Sequence, residues 1–181
     1  MGMGIGIGIS GSPGSGKTTA AKMVSELVNR DFFTIGNIFR KIAEERKISI
    51  EELSRIAEKD RSMDEEIDGK QLEMLKSGEV VIDSRLSCWL MHKNGIKGVK
   101  VWITAPFGVR AKRVAGREKI SVKEAEERMR SREESEIKRY GEYYGIDYGD
   151  LSIYDLVINN EHLSAEEVAT MIVAVVKRRE F

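Results

Sequence analysis

The chain has 181 residues, 41 % hydrophobic and 33 % charged, which suits one soluble domain with a sizeable core. Its 30 Lys+Arg balance its 30 Asp+Glu, which argues against wholesale binding to nucleic acid or an anionic membrane. One cysteine, Cys88, and two histidines, His92 and His162, exclude an internal disulfide and leave too few ligands for an ordinary zinc site. No run approaches the roughly 20 apolar residues of a membrane helix, and residues 1–9 lack the basic start of a signal peptide. The expectation is a cytoplasmic monomer without membrane or nucleic-acid partners.

Residues 3–9 alternate glycine with Met and Ile, a strand whose bare face lets another element pack close. A glycine-rich loop follows, and residues 18–29 then place Ala21, Val24, Leu27 and Val28 along a helical stripe. Phe32, Phe33 and Thr34 form a short second strand. Residues 37–77 hold three helical patterns (37–45, 50–58 and 64–77) with no strand between them, which predicts a polar helical insertion standing off the sheet. β-Branched runs at 79–83, 99–104 and 156–159 are further strands. Helices are expected near Leu86 and over 107–115, 121–144 and 164–179, the last opening on a capping box of Ser164 and Glu167. Alternating strand and helix predicts a single α/β domain, a parallel sheet flanked by helices on both faces. Residues 110–139 carry 7 of the 15 arginines among many glutamates, a pattern that alone describes a solvated helix laced with i,i+4 pairs.

Gly11-Ser12-Pro13-Gly14-Ser15-Gly16-Lys17-Thr18 satisfies G-x-x-x-x-G-K-[ST] at every fixed position, between a strand and an amphipathic helix. Its glycines let the backbone curl until successive N–H groups face phosphate oxygens, and the helix N-terminus adds positive potential. Lys17 reaches the β- and γ-phosphates of a nucleoside triphosphate, and the Thr18 hydroxyl can ligate Mg2+. Thr19, next in the same turn, belongs to the same nucleotide-binding set. The overlapping Gly6-Ile7-Gly8-Ile9-Ser10-Gly11 fits the dinucleotide fingerprint, but its glycines fall inside the strand and Asp31 precedes its own strand, so that reading is rejected. The guanine-reading N-K-x-D is absent, which argues against a signalling GTPase. Asp83 ends an apolar strand at the sheet's C-terminal edge, where ligands of open α/β sheets bind. There it can hold Mg2+ through water or orient an attacking oxygen, or cap the helix near Leu86. Arg85 and Arg40 also follow strand ends, placed to clamp a second phosphate-bearing substrate bidentately. Cys88, His92 and His162 read as structural.

Gly36-Asn37-Ile38-Phe39-Arg40 resembles the acceptor-binding G-[AD]-x-[FYL]-R segment of nucleoside monophosphate kinases. Arg113 and Arg117 are similar to the R-x-x-x-R before their lid, where the first arginine covers the adenine and the second touches phosphate. Arg132, Glu136 and Arg139 resemble the R-x-x-x-[DE]-x-x-R element of cytidylate kinases. With Tyr140, the run Tyr144-Gly145-Ile146-Asp147 and residues 151–159, the chain resembles short archaeal-type cytidylate kinases from about residue 5 to about residue 173. It departs from them at Asn37, where Asp is usual, and at Ser84, where Gly is usual.

The resemblance implies a P-loop NTPase-like domain with a helical acceptor-binding insertion (about 37–77) and a lid (about 116–145). It implies ATP as co-substrate, Mg2+ held by Thr18 and Asp83, and CMP as phosphoryl acceptor, with dCMP a further candidate. Lys17, Asp83, Arg132 and Arg139 would be catalytic. Residues 11–19 with Arg113 and Arg117 would hold ATP, and Arg40, Arg85 and Glu136 the acceptor. Transfer to a phosphate needs positioning and charge neutralisation rather than a general base, which agrees with the lack of a well-placed histidine. Two other readings share the phosphate machinery: a kinase acting on AMP, UMP or shikimate, and an ATPase of ribonucleoprotein assembly whose arginine-rich run touches RNA. A nucleotide-binding regulator without turnover fits less well, because binding alone needs only the loop.

Overall fold

In the computed structural model, which describes residues 5–180, strands β1 (Gly6–Gly11), β2 (Asp31–Thr34), β3 (Val80–Asp83), β4 (Gly98–Thr104) and β5 (Leu156–Asn159) form one sheet. Their order is β2-β3-β1-β4-β5 and every pairing is parallel. Parallel neighbours need crossover connections, and these carry the helices. They are α1 (Lys17–Val28), α2 (Ile35–Glu45), α3 (Ile50–Ala57), α4 (Ser62–Ser77), α5 (Ser87–Lys93), α6 (Phe107–Glu118) and α7 (Val122–Tyr144), while α8 (Ala165–Glu180) follows β5. The expected α/β alternation is thus found. Met3 and Gly4, expected in the first strand, lie outside the described residues.

The two faces of the sheet are filled differently because β1 alternates isoleucine with glycine. Ile7 and Ile9 are fully buried in one cluster with Ala21 and Val24 of α1 and Val168 and Ile172 of α8. Gly6 and Gly8 turn to the opposite face. A Cβ on Gly8 would stand 3.0 Å from Met91 Sδ and 3.1 Å from Cys88 Sγ, so α5 lies flush on the strand. In α1 the buried residues are Ala20, Ala21, Val24 and Ser25, a four-residue spacing. Leu27, expected on that stripe, is 60 % exposed, because the i+3 step from Val24 carries it to the outer flank. The box opening α8 is reciprocal: Ser164 Oγ accepts from Glu167 N at 3.1 Å, and Glu167 Oε2 accepts from Ser164 N at 2.7 Å.

Two helical bodies extend beyond this sheet, but the expected stand-off fails for α4. Its Leu75 is buried with Val80, Ile82 and Met91. A Cβ on Gly6 would meet Leu75 O at 2.9 Å, because the bare face of β1 lets the helix pack close. Helices α2–α4 fill the connection from β2 to β3 and gather their own cluster of Phe39, Ala43, Leu53, Ala57 and Ile67. The hairpin of α6 and α7 closes around Ala111, Val114, Ala125 and Met129. Register places Ile9 and Asp83, and then Thr34 and Asp83, side by side at the C-terminal edge. The ends of β1, β2 and β3 therefore open on one space. Among the described residues no helix is long and apolar enough to cross a membrane.

Candidate active site

β1 ends at Gly11, and the chain wraps into a loop before α1 starts at Lys17. Gly14 adopts φ 73°, and a Cβ there would meet Arg110 O at 2.6 Å, so the loop turns this tightly only with glycine. Gly16 caps α1 with no side-chain bond, which leaves first-turn N–H groups for a ligand. The loop is braced from behind, where Arg110 donates to Pro13 O at 3.1 Å and Asn160 Nδ2 to Ser15 O at 2.7 Å. Arg113 donates to Asn160 Oδ1 at 3.0 Å and to Asn160 O at 3.2 Å. It stands on this bracing side, away from the cleft that Pro13, Gly14, Lys17 and Thr18 line.

Asp83 reaches the cleft from the end of β3 and is only 3 % exposed. Its Oδ2 accepts from Thr18 Oγ1 at 2.5 Å and from Thr34 Oγ1 at 3.0 Å, whereas Oδ1 is buried without a partner. The sequence marks Thr34 only as the end of a strand, not as a site residue. An unpaired carboxylate oxygen beside a threonine hydroxyl suits a hydrated cation. Thr18 and Asp83 thus fit Mg2+, a hard ion that takes oxygen ligands and keeps water. Asp83 does not cap α5, whose N-cap is Leu86 with no side-chain bond; Ser84 Oγ accepts from Leu86 N at 3.2 Å in the turn before it. Burial and the charge of Arg85 lower the Lys17 amine to about 8, against the opposing pull of Asp83.

Arg40, Arg85, Arg117 and Arg132 line the same cleft. Glu136 orders two of them: its Oε2 takes Arg85 Nε, and its Oε1 takes Arg132 Nε at 2.9 Å. Arg85 also donates to Gly11 O at 3.2 Å, which ties the arginine wall to the loop wall. Burial pushes the Glu136 carboxyl up, but Arg85 and Arg132 outweigh it and hold the group below its ordinary range. Among the described residues, neither terminal nitrogen of Arg132 has a protein partner. Asn37 Oδ1 accepts from Arg40 Nη2, so the amide at that position still steadies the arginine. Burial, then the charges of Arg117 and Arg132, lower the Arg40 pKa, the mark of cations crowded around one space. Arg139 lines the cleft as well, but one terminal nitrogen, Nη1, is committed to Asp64 of α4.

Helix α4 supplies residues that sequence reading passed over. Asp64, Asp68 and Gln71 are buried and line the far end of the cleft with Phe39, Ile67 and Tyr140. Their spacing of four and three residues puts them on one helix face, and that spacing is their only signal in the sequence. Burial lifts the Asp68 carboxyl to about 6, against hydrogen bonds from the Tyr144 hydroxyl and the Gln71 amide. The histidines lie elsewhere, His92 edge-on to Trp89 and His162 beside Glu161. Cys88 is a free, buried thiol pushed up to about 11 by burial.

The model of the cytidylate kinase-like family matches residues 6–162. The chain belongs to that family. A cytidylate kinase of Methanocaldococcus jannaschii is 46 % identical over 167 residues, covering 92 % of this chain and 94 % of its own. Another, from Staphylothermus marinus, is 46 % identical over 164 residues, covering 91 % of this chain and 92 % of its own. Among solved structures, a gluconokinase from Sinorhizobium meliloti shares the fold with a TM-score of 0.63 at 15 % identity, covering 99 % of this chain and 96 % of the other. In this cytidylate kinase-like chain the phosphate loop and an arginine wall share one cleft, and α4 forms its far end.

Proposed function

We propose that the protein transfers the γ-phosphoryl group of ATP to the phosphate of CMP, yielding ADP and CDP. The observation that carries this reading is the single cleft shared by the phosphate loop and the Arg85–Glu136–Arg132 cluster, joined through the bond from Arg85 to Gly11 O. ATP lays its phosphates along the loop N–H groups and Lys17, with Arg117 on the cleft side and Arg113 on the outer side of the loop. The acceptor phosphate rests against Arg40 and Arg85. One of its oxygens attacks the γ-phosphorus while the bond to the β–γ bridging oxygen breaks, and that oxygen leaves on ADP. The attacking oxygen is already anionic, so no side chain removes a proton. The terminal nitrogens of Arg132 meet the charge spreading over the transferring group. Arg139, tied to Asp64, sets the seating of α7 and hence of Arg132. Thr18 and Asp83 would hold Mg2+, whose charge neutralises phosphate oxygens when bound. ATP and CMP are the small-molecule partners, dCMP is a further acceptor, and the free, buried Cys88 suits a reducing cytoplasmic setting.

Coupled measurement of ADP production with CMP, dCMP, UMP and AMP tests this reading. Turnover with CMP far above that with water alone is expected. ATP hydrolysis that no acceptor stimulates overturns it.

A further inference from the structure

A phosphate at the arginine end of the cleft puts the base of a nucleoside monophosphate at the α4 end, a placement that rests on CMP being the acceptor. Two residues lining that end carry a buried polar atom without a partner, Gln71 Oε1 and Arg139 Nε. Gln71 is 1 % exposed, and its amide is not free to turn. The Tyr144 hydroxyl donates to Asp68 Oδ2, and Gln71 Nε2 donates to Asp68 Oδ1 at 2.8 Å. Turning the amide over would set its carbonyl against the carboxylate. The network therefore commits the NH2 to Asp68 and leaves Oε1 as a pure acceptor. A buried acceptor costs free energy until a ligand supplies its donor.

We infer that Gln71, held by Asp68, selects the acceptor base by accepting a hydrogen bond from its exocyclic amine. Cytosine carries an amine next to a ring nitrogen that accepts, a pair complementary to the Gln71 carbonyl on α4 and the Arg139 N–H on α7. Uracil carries a carbonyl in place of the amine, which sets acceptor against acceptor and leaves Gln71 unpaired. Phe39, Ile67 and Tyr140 offer apolar surface to the ring at the same end. Adenine also bears an amine, so this contact separates CMP from UMP and leaves AMP to be excluded by size.

Gln71→Met keeps the side-chain length and removes the acceptor. Rates with CMP, UMP and pyrimidin-2-one ribonucleoside monophosphate, which is CMP without its amine, test the inference. Wild type is expected to favour CMP over both by at least about tenfold in kcat/KM. Gln71→Met should lose about 10- to 100-fold on CMP and little on the amine-less analogue, with KM for ATP unchanged. A CMP-to-UMP ratio unchanged in the variant overturns the inference and leaves the kinase reading standing. No CMP turnover in wild type overturns the kinase reading itself. Should the variant not fold, wild type decides alone: equal kcat/KM for CMP and its amine-less analogue overturns the inference.

Discussion

Arg139 on α7 sets one terminal nitrogen between the two carboxylate oxygens of Asp64 on α4, at 3.1 and 2.9 Å, with both side chains buried. The pair joins the helix that bears Arg132 and Glu136 to the helix that bears Gln71. Removing one partner strands the other as a buried charge, which costs about 3–5 kcal/mol. Arg139→Met should therefore lower stability by that order in urea unfolding, and Arg139→Met with Asp64→Leu should recover part of the loss. Losses that simply add in the double variant would show that the two groups are not coupled.

Lys17→Ala should reduce turnover by several orders of magnitude and leave the unfolding midpoint near that of wild type, because no packing depends on the amine. Its pH behaviour is a separate test. The Lys17 amine, lowered to about 8, loses its proton as pH rises through that value, and affinity for a polyanion falls with it. The decline in kcat/KM for ATP should thus set in near pH 8, and Lys17→Arg should move it to higher pH. An inflection unmoved by that substitution belongs to another group.

Arg40 and Arg85 should separate on two axes. Each is expected to raise KM for CMP about 10- to 100-fold on truncation to alanine, with a smaller effect on KM for ATP. Only Arg85→Ala should also cost stability, because Arg85 shares the buried carboxylate of Glu136 whereas Arg40 bonds to the exposed Asn37. Equal KM losses for both substrates would place these arginines outside the acceptor site.

Arg132→Ala should cut kcat with little change in KM for ATP, since its terminal nitrogens engage charge that develops in the transition state. RNA retention measured on the same variant should not change. Unchanged turnover with lost, salt-dependent RNA binding would point to the ribonucleoprotein ATPase instead.

The sheet and the phosphate loop were legible because each rests on local rules: β-branched runs make strands, and glycines make the loop. α5 was placed only as a helix near Leu86, since residues 87–91 are all buried and show no amphipathic period. Partner choice was not legible. Spacing puts Glu136 within one turn of both Arg132 and Arg139, yet it pairs with Arg132 and the distant Arg85, because α7 turns Arg139 toward Asp64. Arg113 and Arg117 share a helix face by spacing, and the braced loop still draws the first to Asn160 while the second lines the cleft. The stripe Asp64, Asp68 and Gln71 was hidden in a helix so polar that it reads as a solvated face.

The cluster of Phe39, Leu53 and Ile67 within α2–α4 is distinct from the one that binds β1 and β4 to α1 and α8. Free-energy changes at such separate clusters add nearly independently. Substitutions inside the Phe39 cluster should therefore reshape the α4 end of the cleft with little effect on the packing beneath the phosphate loop.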